Sequence, residues 1–414
     1  MDLWANIFAY LKPDHTVDFF DWDDTDERQR QDVSELITAQ AHYHKLKLVC
    51  SKFKQVFQEH SELSDEIILA EGNRSHMMPH ALVWLRQKGS AIRSFTAFCG
   101  GPTQDMVLAA MASPSPHLEY VHLSGPIKAT LSGLLAFKSL NCCYLVKPAK
   151  ALSLYPLRNL QCLESLFLQS GIFNRLAIPC CVTSLVIGDS SVDCVQELHS
   201  LTHLETLMID SSDVQRLHEL GILACTSLKH LELSECLVAA ADLANRFAVG
   251  LQAPMCIPTQ LSLLTNLSHL ELDLASSDIQ DFDARWLYKM ASIECLVCTI
   301  HGTLCLDNRL TQLRKLEDLQ VSVVKSTDDH DKWKICYHAI DWEALCQLTH
   351  ISFSGPSSFD ESILELTSID KLKTVALWDF YPTDGLTAKN LALLSYRLAA
   401  DRPEVVFLVE DYDV

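Results

Sequence analysis

No run of eighteen consecutive apolar residues occurs in this 414-residue chain, so no transmembrane helix is expected. Positive charge is scarce: 33 Lys plus Arg stand against 53 Asp plus Glu, a formal net charge of -20. That balance excludes a general nucleic-acid or anionic-membrane binder and favours a basic partner or simple solubility. The start, Met1-Asp2-Leu3-Trp4, has neither a basic segment nor a small-residue cleavage site, which predicts no secretory signal. Local catalytic signatures are missing too. There is no Gly-x-x-x-x-Gly-Lys-Ser/Thr loop, no Gly-x-Gly-x-x-Gly, no Gly-x-Ser-x-Gly and no His-Glu-x-x-His. Gly188-Asp189-Ser190 follows the strand pattern Val182, Leu185, Ile187 and reads as a turn. The acidic segment Asp21 to Asp32 lacks the central glycine and final glutamate of a calcium loop. No enzyme and no cofactor are expected.

What the chain has is a returning phrase, Leu-x-x-Leu-x-x-Leu-x-x-Leu-x-Leu. It reads Leu157, Leu160, Leu163, Leu166, Leu168, then Leu198, Leu201, Leu204, Leu207, Ile209. It returns at Leu261 to Leu272, Leu310 to Val321 and Leu366 to Leu377. Spacing by three suits the buried side of a helix or tight turn, and the closing Leu-x-Leu is the period of a strand. This is the signature of a leucine-rich repeat. Its phase is tracked by Ile92, Leu118, Leu140, Leu163, Val182, Leu204, Leu228, Leu267, Ile293, Leu316, Leu348 and Leu372, with Pro403, Val406 and Leu408 as a degenerate last unit. The expected fold is an α/β leucine-rich-repeat solenoid over 71–414, of about 12–13 irregular repeats, with a curved parallel sheet on its concave face. Long steps, as between Leu228 and Leu267, predict rim loops. The tail from Val409 to Asp413 suits a polar C-terminal cap. The sixteen cysteines fall largely in repeat positions and read as reduced, buried thiols of a cytoplasmic or nuclear protein.

Residues 1–70 do not carry the repeat and predict a small all-helical module. Leu46-Lys47-Leu48-Val49-Cys50-Ser51-Lys52-Phe53 resembles the middle of an F-box, and Leu3, Ile7, Phe8, Tyr10 and Leu11 resemble that family's first helix. An acidic insertion at about 13–40 separates the two parts. The family's leading leucine-proline is missing, and Phe53 replaces the usual tryptophan. An F-box followed by leucine-rich repeats resembles the substrate-recognition subunits of SCF-type ubiquitin ligases. The resemblance implies that Leu3, Ile7, Phe8, Leu11, Leu46, Leu48, Val49, Cys50 and Phe53 dock on a Skp-type adaptor and, through it, a cullin scaffold. The repeats would then bind the target protein. Two other readings stay open: a ligase-independent scaffold or inhibitor that binds a basic protein, and a small-molecule receptor of the same domain order.

Side chains alternate along a strand, so the residue between the last two apolar positions of each phrase faces outward. The resulting column runs Thr96, His122, Tyr144, Phe167, Val186, Met208, Glu232, Glu271, Val297, Gln320, Ser352, Ala376. The candidate substrate-binding residues are His122, Tyr144, Phe167 and Met208 at the apolar end and Asp210, Glu232, Glu271, Asp273 and Asp318 as one acidic zone. Trp378 lies toward the C-terminus. They suggest a target with an apolar anchor beside a basic segment. His230 and His269 with Glu232 and Glu271 have the donor types of a zinc site, as do Cys295, Cys298, His301 and Cys305. A solvated polar ladder and a buried repeat strand are the preferred readings, so no metal is expected.

Overall fold

The computed structural model describes residues 66–70, 92–98, 109, 117–125, 131–148, 151–174, 178–192, 198–210, 224–234, 264–274, 281–282, 288–300, 303–323, 335–382 and 385–410. The chain divides into two compact units, Met1–Ile172 and Phe173–Val414. Both are built from the same repeating step.

That step follows from the leucine spacing. In the phrase around Leu201, the amide of Leu201 donates to the carbonyl of Leu198 at 2.9 Å, and the amide of Leu204 donates to that of Leu201 at 3.1 Å. The same bonds recur at Leu310, Leu313 and Leu316 and at Trp342, Leu345 and Leu348. These are 3₁₀ turns of three residues each, which bring every third side chain back to one side. Two residues past each phase position the backbone extends into a strand, from Ser94–Phe98 through Thr374–Pro382. All twelve phase residues are at most 1% exposed. Among the described residues the connectors between strands are mostly of one kind. The described connectors from Leu131–Ala136 to Glu361–Ser368 are 3₁₀ helices, and the long α-helix among the described residues is Gly385–Asp401.

In the first unit, Glu66–Ala70, Ser94–Phe98, Tyr120–Ser124, Cys142–Val146 and Ser165–Gln169 form a parallel ladder without register breaks. Among the described residues the first strand of this sheet is Glu66–Ala70, at the end of the stretch 1–70. In the second unit the parallel ladder runs from Ser184–Gly188 through Thr206–Asp210, His230–Ser234, His269–Leu274, Cys295–Ile300, Asp318–Val323, His350–Phe359 and Thr374–Pro382 to Val406–Glu410. Neighbouring strands are bound at their entry as well. The amides of Glu294 and Cys295, for example, both donate to the carbonyl of Ser268, at 2.8 and 2.9 Å.

The second unit holds a second parallel ladder that the repeat pattern did not announce. Asp281–Phe282, Thr303–Asp307 and Ile335–His338 pair in turn and end on residues 357–359. The strand His350–Phe359 belongs to both ladders and changes course between Ser354 and Pro356. Gly355 makes this possible, with φ at +92°. Inside the corner, Tyr337 stacks on Phe359 at 4.4 Å and meets Phe353 edge-on at 4.7 Å, with Trp342 fully buried beside them. The helix Gly385–Asp401 buries Thr387, Asn390, Leu394 and Leu398. Thr387 Oγ1 accepts from the amide of Phe359, and Asn390 Nδ2 donates to that residue's carbonyl.

One sequence reading of the core is overturned. Val406 and Leu408 pair with Thr374 and Ala376, which stand in the outward rows although Ala376 is itself buried, while Phe407 and Val409 pair with the buried Val375 and Leu377, Val409 remaining 51% exposed. The last strand is thus one residue out of the expected phase. Val406 is 50% exposed and Leu408 41%. Val409 and Glu410 belong to this strand rather than to a cap. Among the described residues, no helix is long and apolar enough to cross a membrane.

Candidate functional site

A strict register turns a parallel sheet into rows of side chains about 4.8 Å apart across the strands. On the open face of the second unit three such rows can be read. The first carries Thr206, His230, His269, Cys295, Asp318, His350 and Thr374; the second carries Met208, Glu232, Glu271, Val297, Gln320, Ser352 and Ala376. In the third row Asp210 pairs with Ser234, and Asp273, Thr299, Ser322, Ser354 and Trp378 follow one another in register. Among the described residues of these rows there is no lysine or arginine, and Asp210, Glu232, Glu271, Asp273 and Asp318 supply negative charge.

Four of those carboxylates gather on three adjacent strands: Asp210, then Glu232, then Glu271 with Asp273. The expected single acidic zone is corrected for Asp318. It sits in the first row, two strands beyond Glu271, where the Gln320 side-chain amide donates to its carboxylate at 3.3 and 3.4 Å. Crowding has a consequence. Partial burial, then the charges of Glu232 and Asp273, hold the Glu271 carboxyl above its ordinary range, and His230 opposes them. Burial, then Asp318 and Glu271, push the Cys295 thiol up to about 11.

His230 and His269 lie in register and stack, with ring centroids 5.6 Å apart and planes 5° apart. His230 Nε2 is 3.8 Å from Glu232 Oε2. Parallel rings aim their nitrogens side by side rather than at a common point, and among the described residues no three ligating side chains come together as a metal site. Cys295 and Cys298 point to opposite faces, with Cys298 only 2% exposed.

The first unit presents a different face. Its row Thr96, His122, Tyr144, Phe167 is in register as expected. Tyr144 and Phe167 are half-buried and stack at 3.9 Å, their planes 4° apart. His122 is 1% exposed, so the expectation that it meets a partner on the surface fails. Burial lowers its pKa to about 4 and keeps the imidazole neutral. Thr96, next in the row, is 4% exposed. The adaptor-docking set, Leu3, Ile7, Phe8, Leu11, Leu46, Leu48, Val49, Cys50 and Phe53, lies outside the described residues, as does the acidic insertion.

Three apolar side chains of the last strand are exposed, Val406, Leu408 and Val409, and the first two were missed as surface residues because their hydrophobicity read as core. Leu408, paired with Ala376, is the diagonal neighbour of Trp378, which is 37% exposed and pairs with Glu410; Val406 lies farther along the strand, beside Thr374.

Leucines in successive 3₁₀ turns, each turn followed by a strand of one parallel ladder, decide the architecture. The fold is a leucine-rich-repeat solenoid. Internalin F of Listeria monocytogenes aligns with 82% of this chain and 94% of its own, at 17% identity and a TM-score of 0.50. A leucine-rich-repeat protein of Leptospira interrogans aligns with 79% of this chain and 98% of its own, at 14% identity and a TM-score of 0.37. No family model and no curated protein sequence matches the chain.

Proposed function

We propose that this protein is a non-catalytic recognition subunit of an SCF-type ubiquitin ligase, in which the repeat sheet holds a basic target protein. The observation that carries the recognition half is the asymmetry of the second unit's open face. As far as the strand Thr374–Pro382, five carboxylates stand on its three described rows, and Glu410 continues the third, with no lysine or arginine among them. Such a surface attracts a basic partner and orients its approach. The ligase half rests on the resemblance of Leu46 to Phe53 to an F-box, followed by repeats. Tethering both partners on one chain raises the target's effective concentration near the ubiquitin-charged enzyme, and no residue here has to perform chemistry.

Co-purification of the full chain with a Skp-type adaptor tests this reading. The adaptor is expected to be retained, and Leu11→Ala with Val49→Asp is expected to abolish retention while the repeats stay folded. Unchanged retention by the double variant would remove the F-box assignment. If the intact chain captures no adaptor but still binds a basic protein, the ligase-independent scaffold is the better description.

A further inference from the structure

The acidic cluster and the exposed apolar end of the same sheet have a fixed relationship. Glu271 lies four strand spacings from Ala376 and five from Leu408, along one uninterrupted register. At about 4.8 Å per strand, the cluster and the Trp378–Leu408 patch are roughly 20 Å apart. The lane between them in the third row holds Thr299, Ser322 and Ser354, short side chains that let another backbone come close.

We infer that the second unit's open face is a two-point dock for an extended polypeptide crossing the strands, with a basic cluster at one end and an aliphatic or aromatic anchor about six residues away. The spacing follows from the reach of extended chain, about 3.3 Å per residue. Charge complementarity sets the basic end, because Glu232 and Glu271 face outward side by side and Glu271 is held uncomfortably among like charges. The other end is set by Trp378 and Leu408, diagonal neighbours that are 37% and 41% exposed on the face that carries the carboxylates; Val406 is exposed farther along the last strand, beside Thr374, and Glu410 is the register partner of Trp378. Aromatic and aliphatic anchors of this kind slow dissociation, while the carboxylates speed encounter. The inference rests on the proposed recognition role but not on the F-box, since adaptor retention and peptide binding are read separately.

The test uses the full chain and fluorescent peptides, each with three arginines, a spacer of small polar residues and a Leu-Trp-Leu anchor, made in both chain directions. A six-residue spacer in one direction is expected to bind at least tenfold tighter than a spacer of one residue or than a peptide with glutamates for arginines. Glu232→Lys with Glu271→Lys should weaken it at least tenfold at physiological salt. Trp378→Ala with Leu408→Ser should weaken it about fivefold, mostly through faster dissociation. Both variants should melt cooperatively and not markedly below the parent, because the substituted side chains are outside the core. Equal binding of all spacer lengths would overturn the two-point geometry. Unchanged binding by the charge-reversed variant, or no binding by either chain direction, would overturn the dock even if the adaptor co-purifies.

Discussion

Glu232 and Glu271 occupy one register position on adjacent parallel strands, and the charge of Glu232 adds to partial burial in holding the Glu271 carboxyl above its ordinary range. An acid whose folded-state pKa is raised costs stability when it is ionised. The cost is present above the folded pKa and vanishes below the unfolded one, because there both states carry the proton. Glu271→Gln is therefore expected to stabilise the protein at pH 7.5. Solvent screening of a half-exposed group limits the gain to about 1 kcal/mol or less. Urea unfolding at pH 7.5 and again below pH 4.5 checks this: the gain should appear at the first pH and disappear at the second. A gain independent of pH would mean that lost charge repulsion is not its cause.

Gly355 is the position where the chain leaves one ladder for the other. A Cβ there would lie 2.3 Å from the carbonyl oxygen of Val323, and φ is already +92°. Both the space and the backbone angle exclude a side chain, so Gly355→Ala should cost about 3 kcal/mol. The midpoint of denaturant unfolding should fall. Ser354→Ala, one residue earlier on the open face, should change it by less than about 0.5 kcal/mol.

Arg402 closes the turn before the penultimate strand of the solenoid. Its guanidinium donates through Nη1 to the carbonyl of Ile369 at 2.8 Å and through Nη2 to that of Asp370 at 3.0 Å, while Nε meets Glu404. A planar fork is needed to reach two successive carbonyls, and an ammonium does not provide one. Arg402→Lys and Arg402→Ala should each lose about 2 kcal/mol, measured by thermal or urea unfolding. Recovery of most of the stability by lysine would show that charge alone suffices.

Much of this architecture was legible in the leucines because the repeat makes one statement many times. The phase positions from Ile92 to Leu372 marked each strand phrase; the strands begin two residues after them, and all of these positions are buried. Rows of outward residues followed from that phase, so Glu232 beside Glu271 was readable before any coordinates. What was not readable has specific causes. Val406 and Leu408 are apolar and were placed inside, but the terminal strand has its register set by Thr374–Pro382, not by its own hydrophobicity. His122 has the polarity of a surface residue, yet burial around it depends on contacts that a one-dimensional pattern does not encode. The second ladder escaped notice because Thr303–Asp307 begins only three residues after Ile300, too close to read as a separate strand. Asp318 was expected in the acidic zone from its place beside the central column, but it lies two strands beyond Glu271 and in the row of Cys295.

The cysteines give a chemical test of the same register. Cys295 and Cys298 lie on one strand, three residues apart, and so on opposite faces of the sheet. Cys298 is buried and its thiol is pushed up to about 12 by loss of solvent, then by the charge of Glu271. Cys225 is likewise buried and raised to about 11. Cys162, Cys180, Cys305 and Cys346 are exposed. The thiolate is the nucleophile, so a raised pKa and a closed surface both suppress alkylation. With iodoacetamide at pH 8, these four exposed thiols should label first among the described cysteines of the native protein. Cys295 should label slowly, held back by its raised pKa, and Cys225 and Cys298 should label only after denaturant is added. Peptide mapping by mass spectrometry reads each site. If Cys298 labelled in the native protein as fast as Cys305, that strand would be flipped by one residue. Cys298 would then face solvent and Leu296 with it, while Val297, and by the same register Glu271 and Glu232, would turn into the core.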